Sequence, residues 1–502
     1  MLFHRARTTS SRFAASALLA SLLLPLGCTA MRQPRPQRPN VIVLFVDDLG
    51  WRDVGCYGQD VASTPNIDRL AGQGMRFLQA YAANPVCSPT RAALMTGKYP
   101  ARVDINDWIP GTSFPKAQML PPADLDALPL AEVTLAEALR AQGYKTWHVG
   151  KWHLGGEGFL PQDQGFEVNW MGRHTGHPAS HFFPYGNDAA GEPAHSHAVV
   201  PLPPGGKPGD YLADVQAETA AGLIRGAVGS EQPFFLYLPF YAVHTPIEAK
   251  TADVTHHREL RQARLAAVPA SERETLQERG PKPPFAAMLE NLDHAVGTVL
   301  DALASSGLAD DTLVIFTSDN GGLSGVSENR PLRGGKRSLW EGGIRVPLIV
   351  RWPAVIAPGT TSDLPVITQD VHRAVRSAGG ADSDTAVRED AFDLLPVWHG
   401  APAAEHRPLY WHFPQHQTAE VGPRGAMRDG DWKLIEDFAS DTVMLYNLAN
   451  DPGETADLTQ QQPERAQRMR EQLRAWRQRV GAKMPTWNPA FEPAQPAATP
   501  KR

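Results

Sequence analysis

Cysteine is nearly absent from this chain: three in 502 residues, at positions 28, 56 and 87. Three thiols cannot build a disulfide framework, so the fold must stand on a buried core, which a chain of this length can form. No basic block occurs either. The 48 Lys and Arg against 54 Asp and Glu give a formal net charge of −6, which excludes the cationic surface of a nucleic-acid binder. Beyond residue 26 no apolar run is long enough to span a bilayer. No internal repeat is present, and 45 prolines with 43 glycines exclude long coiled coils in favour of many loops.

What is present begins with an address. Arg5, Arg7 and Arg12 precede an apolar run from Phe13 to Leu26, the basic and apolar regions of an export signal over 1–30. Leu24-Pro25-Leu26-Gly27-Cys28 is similar to a bacterial lipoprotein box, with Pro25 where that box prefers Leu. Lipidation at Cys28 and simple cleavage after Ala30 are the two alternatives, placing the chain in the periplasm or anchored at the envelope. Residues 31–39 read as a Pro- and Arg-rich linker and 40–400 as a large domain. Residues 401–482 read as a smaller subdomain, and 483–502, rich in Pro and Ala, as a disordered tail.

Val41 to Val46 is a continuous apolar run rich in β-branched residues, the pattern of a strand buried on both faces of a parallel sheet. Similar runs recur at Phe234 to Leu238, Leu313 to Thr317 and Pro347 to Arg351. Helical patterns alternate with them, at Thr134 to Gln142 and at Phe285 to Leu303, where Met288, Leu292, Val296, Val299 and Leu303 form one stripe. This alternation predicts an α/β fold with a mostly parallel central sheet, whose ligands bind beyond the carboxyl ends of the strands. After residue 400 short aromatic-rich runs separated by turn signals predict a small antiparallel sheet with a hairpin turn at Asp429-Gly430-Asp431. A helix from Pro463 to Val480 follows. The charged stretch Thr251 to Lys282 reads as a helical surface insertion.

Chemistry concentrates in a few strings. Cys87-Ser88-Pro89-Thr90-Arg91 opens a helix-forming run that Gly97 can stop, with Pro89 suited to the first helical position. Cys87 would then lie just before a helix N-terminus, which favours an anion, and Arg91 adds a planar donor for a tetrahedral oxyanion. The first strand ends in Asp47-Asp48 and a later one in Asp319-Asn320-Gly321-Gly322, so hard oxygen donors from two strand ends would meet at one sheet edge and suit Ca²⁺ or Mg²⁺. Gly150-Lys151-Trp152-His153 follows another strand, with Lys151 and His153 two apart and on one side if extended. His244 in His-Thr-Pro, and Lys336 in Arg333-Gly334-Gly335-Lys336, complete the set. Taken singly, each has a plain reading as a solvated turn, a surface lysine or a satisfied histidine.

Together, in this order, the strings resemble the type I, formylglycine-dependent sulfatases. The resemblance implies an alkaline-phosphatase-like α/β/α sandwich plus a small C-terminal antiparallel-sheet subdomain. It also implies that Cys87 is oxidised to formylglycine by a formylglycine-generating enzyme acting on the unfolded chain. Asp47, Asp48, Asp319 and Asn320, with residue 87, match the family's metal ligands, the usual ion being Ca²⁺ and Mg²⁺ a lesser candidate. Arg91, Lys151, His153, His244 and Lys336 match its catalytic positions. Lys151 and Lys336 would grip sulfate, His153 would contact the formylglycine, and His244 would protonate the leaving group. Trp108, His174 and His177 lie where members shape specificity, in strings that resemble those of sulfatases acting on polysaccharides, and Arg333 would assist Lys336 in binding the substrate. The implied activity is hydrolysis of sulfate monoesters, on a sulfated carbohydrate or an aryl sulfate. Two alternatives stay open: a phosphate or phosphonate ester hydrolase of the same superfamily, and an inactive exported protein that binds sulfated glycans.

Overall fold

In strand β1 (Asn40–Val46) alternate residues enter two different cores, Ile42, Leu44 and Val46 on one side and Val41, Val43 and Phe45 on the other. That division is the three-layer architecture in miniature, since a strand covered on both faces must be apolar throughout. The computed structural model describes residues 38–491 apart from 189, 274–280, 382–383, 403–406 and 417–421. The export signal, Cys28 and nearly all of the linker therefore lie outside the described residues.

The strands in chain order continue as β2 (Met75–Tyr81), β3 (Met119–Leu120), β4 (Lys145–Val149), β5 (Val168–Trp170), β6 (Phe234–Pro239), β7 (Thr312–Ser318) and β8 (Arg345–Arg351). After them come β9 (Thr360–Ser362), β10 (Val366–Ile367), β11 (Leu409–Phe413), β12 (Arg424–Asp429), β13 (Trp432–Asp437), β14 (Thr442–Asn447) and β15 (Thr486–Trp487). Nine of them form the central sheet in the order β10-β2-β8-β7-β1-β6-β4-β5, with β9 paired to β2. Every pairing is parallel except those of β8, which is antiparallel to both neighbours. The sequence grouped Pro347 to Arg351 with the parallel runs. It is reversed because residues 319–344 stay at the carboxyl edge of β7 and the chain re-enters the sheet from that edge.

The long helix Pro283–Ser305 lays Met288, Leu292, Val296, Val299 and Leu303 on one face of the sheet, beside Leu212–Gly226. The other face is covered by Cys87–Thr96, Leu135–Arg140 and Thr368–Ala378. Thr134 caps its helix reciprocally with Glu137, as a Thr-x-x-Glu string should. The charged stretch after Thr251 contains the helix Thr251–Ala266, which buries only Val254 and His257.

The smaller sheet runs β11-β12-β13-β14, antiparallel throughout, and Asp429 pairs with Trp432 across the expected two-residue turn. The helix Pro463–Val480 covers it with Met469, Leu473, Trp476 and Val480. One expectation differs. The stretch from Lys483, read as disordered, includes β15, which pairs with β3, because backbone donors and acceptors there meet a free two-residue edge. Among the described residues no helix is long and apolar enough to cross a membrane.

Candidate active site

Parallel strands put their carboxyl ends on one edge, and that edge collects the polar strings. Val46 pairs with Ser318, so Asp47-Asp48 and Asp319-Asn320 leave adjacent strands side by side. Strand β4 delivers Gly150-Lys151 and β6 leads to His244 at the same edge. The reversed β8 begins there, which brings in the preceding Lys336 loop. Helix Cys87–Thr96 starts at Cys87 itself, two residues earlier than read, with Pro89 in the first turn where its missing N–H costs nothing. Gly97, at φ 72°, ends it.

The side chains form a compact ionic cluster. Lys151 Nζ donates to both carboxylate oxygens of Asp47 at 2.8 and 2.7 Å. Lys336 Nζ lies 2.6 Å from Asp48 Oδ1, 3.0 Å from His244 Nε2 and 3.5 Å from Cys87 Sγ. Cys87 Sγ is 3.6 Å from Asp47 Oδ1, and His244 Nε2 is 3.6 Å from Asp48 Oδ2. Asp47, Asp48, Cys87 and His244 each offer a ligand atom within 4.8 Å of the others, a group able to hold a metal ion. Asp48 and His153 both sit at positive φ, 63° and 61°, backbone strain of the sort that collects where a side chain must be aimed. Lys151 and His153 are thus not on an extended segment, as the sequence suggested.

The residues present fit a hard divalent cation. Asn320 Oδ1 is buried without a hydrogen-bond partner, while its amide nitrogen donates to Asp48 Oδ1 at 2.8 Å. An orphaned buried amide oxygen beside three buried carboxylates is the donor set that Ca²⁺ or Mg²⁺ takes. Charge points the same way. Asp47, Asp48 and Asp319 are balanced here by Arg91, Lys151 and Lys336, so an added dication leaves a positive excess for an anionic substrate. Burial pushes the Asp47 carboxyl well above its ordinary range against the pull of Lys151. Burial also opposes ionisation of Asp48, but Lys336 and His244 outweigh it and hold that carboxyl low.

Arg91 corrects the sequence reading. Its guanidinium, wholly buried, donates to Asp319 Oδ2 through Nε at 3.0 Å and Nη2 at 2.7 Å, and to Lys151 O through Nη1 at 3.1 Å. It is committed to aiming carboxylates, not to an oxyanion. His153 Nε2 donates to Ile109 O at 2.7 Å, which leaves Nδ1 buried and unpartnered. Burial, reinforced by Lys151, holds this imidazole neutral far below its usual range. His244 donates from Nδ1 to Thr245 O at 3.0 Å, so Nε2 is the nitrogen that faces Lys336. Burial and then Lys336 lower its pKa also.

The four residues read as substrate-binding are spread out. Trp108 is half-buried, its indole N–H on Thr112 Oγ1 at 3.0 Å. His177 stacks on His197 with ring centres 3.9 Å apart and lies parallel to His244 at 5.6 Å. His174 is exposed. Arg333 lies over Trp340 at 3.7 Å, donates to Glu454 O at 2.9 Å, and lines a cleft of about 990 Å³ with Asn329 and Arg330. Sequence reasoning missed Ser88, whose Oγ donates to His153 O at 2.9 Å and accepts from Ile109 N–H at 3.0 Å. Its place inside the Cys-x-Pro-x-Arg string was the available signal. It also missed His197 and Glu454, for which no local signal exists.

A fold of this topology, with a buried thiol beside an acidic, metal-ready strand edge, fits the alkaline-phosphatase-like class of ester hydrolases. The family model described as Sulfatase matches residues 39–378, and one described as N-sulphoglucosamine sulphohydrolase, C-terminal, matches 334–479. Arylsulfatase A of Homo sapiens is 34% identical over 87% of this chain and 86% of its own length. A sulfatase of Formosa agariphila is 30% identical over 93% of both. The solved structure of Ps i-CgsB in complex with k-i-k-neocarrahexaose superposes with a TM-score of 0.72 at 28% identity, covering 90% of this chain and 94% of that one. The chain belongs to the sulfatase family and is a sulfuric ester hydrolase.

Proposed function

We propose that the chain is an exported sulfatase that removes sulfate from a carbohydrate, using a formylglycine made from Cys87 and a bound Ca²⁺. The observation that carries this is the position of residue 87, at the head of a buried helix with its sulfur between Asp47 and Lys336. Similarity to arylsulfatase A and to a structure in complex with k-i-k-neocarrahexaose supports the substrate class.

Asp47, Asp48, Asp319, Asn320 and residue 87 would hold the cation. When present, the hydrated aldehyde supplies a hydroxyl to attack sulfur and a second to expel sulfate, and the cation supplies Lewis acidity. The chain's own residues do the rest. Lys151 and Lys336, which pair with Asp47 and Asp48 here, would be the donors to the sulfate oxygens if a cation neutralised those carboxylates. Arg91 keeps Asp319 and Asp47 aimed. His153, neutral and with Nδ1 free, accepts the proton of the second hydroxyl. Lys336 and His244, sharing a hydrogen bond, deliver a proton to the leaving oxygen. Trp108, His174 and His177 face the sugar, and Arg333 serves the neighbouring cleft.

The whole helix Cys87–Thr96 is buried and Cys87 is 2% exposed. A formylglycine-generating enzyme must therefore act before folding, which agrees with passage through an export route. Residues 1–30 would provide that route, ending in lipid at Cys28 or cleavage after Ala30.

The test is the mass of the tryptic peptide Phe77 to Arg91 from protein made in its native host, with aryl sulfate and aryl phosphate assayed in parallel. An aldehyde at 87 and preference for the sulfate ester are expected. An intact thiol, or preference for phosphate, would overturn the proposal.

A further inference from the structure

The stretch after the last helix makes an organised set of contacts. Thr486 and Trp487 pair with Leu120 and Met119. Asn488, 7% exposed, donates its backbone N–H to Gln118 O at 3.0 Å. Its side-chain amide donates to Pro115 O at 2.9 Å and Ala117 O at 2.7 Å, while its Oδ1 accepts from Ala490 N–H at 2.9 Å. Lys483 adds an ion pair to Asp104 at 2.9 Å. Both amide protons and the oxygen of one asparagine are thus spent, mostly on a loop far away in sequence.

That loop, residues 104–120, is tied at its other end to the catalytic groups. Ile109 accepts from His153 Nε2 and donates to Ser88 Oγ. Between these ties Trp108 is steadied by Asp107, whose carboxylate accepts from the backbone N–H of Trp108 at 2.9 Å and of Thr112 at 3.2 Å. Ile105 and Ile109 are buried in the core and fix the first part of this loop, whereas residues 110–118 are mostly exposed or half-buried, so Asn488 and β15 supply the ties at its far end.

We propose that residues 483–490 are a strap that fixes the substrate-facing loop 104–120, with Asn488 as its positioning residue, and that this strap sets preference for extended sulfated glycans over small sulfate esters. The proposal rests on the functional reading above. A small aryl sulfate needs little beyond the sulfate pocket, whose groups are anchored by strands and by Ser88. A glycan also touches the wall that Trp108 belongs to. Loosening the outer end of the loop therefore penalises the glycan first.

Asn488→Asp is the sharpest probe. It preserves size and the acceptor for Ala490 N–H, but turns two donated hydrogen bonds into oxygen–oxygen repulsions. A variant ending at Ala482 removes the strap entirely. Hydrogen exchange of amides in 108–120 and kinetics on 4-nitrophenyl sulfate and a sulfated oligosaccharide are compared with the unsubstituted enzyme. Expected are exchange faster by about tenfold in this loop alone, kcat on 4-nitrophenyl sulfate within about twofold, and KM for the oligosaccharide raised about tenfold. Unchanged exchange in the loop would overturn the proposal. So would equal losses on both substrates, which indicate general damage. If the unsubstituted enzyme hydrolysed neither ester, the functional reading would fail, while the exchange data would still decide whether Asn488 holds the loop.

Discussion

Asn320 concentrates the argument at the scale of a single residue. A buried amide oxygen with no partner costs free energy that a coordinated cation would offset. An ion that bound only the folded site would stabilise it by about 2.7 kcal/mol when present at a hundred times its Kd. Chelation should therefore lower the Tm of the unsubstituted protein, and Asn320→Ala should shrink that chelator-sensitive difference and cut turnover. Equal chelator sensitivity in both proteins would remove Asn320 from the ligand set. Asp47, Asp48, Asp319 and Asn320 were legible because they follow apolar runs that could only be strands. Ser88 was not, since its role depends on two loops, at 109 and 153, that meet only in the fold.

Elements decide where those residues point. Strand β4 ends at Val149 and is followed by Gly150, at φ 129°, where an added Cβ would lie 2.0 Å from Pro239 O and 2.3 Å from Gln216 Nε2. Lys151 N–H donates to the same Pro239 O at 2.8 Å. Gly150→Ala must push β4 from β6 and carry Lys151 off Asp47. The expected cost is about 1–3 kcal/mol of stability with a much larger fractional loss of kcat, measured by urea melts and aryl sulfate turnover. A loss of stability with full activity would show that the Lys151 position tolerates the shift. A second element-level device joins the two sheets. Lys433 in β13 is wholly buried between Glu341 and Glu454, at 2.9 and 2.8 Å. Glu454 also receives Glu341 N–H at 2.7 Å and, through its carbonyl, Arg333. The small sheet thereby braces the segment that carries Lys336. Lys433→Ala removes the cation between two buried acids, leaving Glu341 with Tyr81 and the more distant Arg345, and should destabilise by about 3–5 kcal/mol. Cooperative unfolding at unchanged urea midpoint would refute the brace.

For the whole molecule the buried histidines make stability fall as the pH drops below the ordinary imidazole range. Burial lowers His148 and His372 to about 3 and His181 and His412 to about 4, from the ordinary 6.5. Each is neutral in the folded state while the unfolded chain takes up a proton near 6.5. Above that pH they contribute nothing to the slope; below it stability falls until the folded values are reached. At pH 5 the cost is about 2 kcal/mol for each such group. His372 lies outside the site, its ring N–H on Leu94 O at 2.9 Å. His372→Gln should flatten the decline of Tm between pH 7 and pH 5, and an identical decline would show that His372 does not contribute.

The sequence by itself determined the strand runs, the small sheet with its turn, the terminal helix Pro463–Val480 and every residue of the ionic cluster except the roles they take. Local patterning suffices there, because a buried strand must be apolar and a strand end must supply whatever chemistry the sheet edge carries. Only the tertiary structure decided that β8 runs backwards, that Arg91 spends its donors on carboxylates, that His177 stacks on His197, and that Asn488 holds a loop hundreds of residues earlier. Each of these depends on which groups at distant positions are left needing a partner, and hydrogen-bond satisfaction in a closed interior is settled only when the chain has folded.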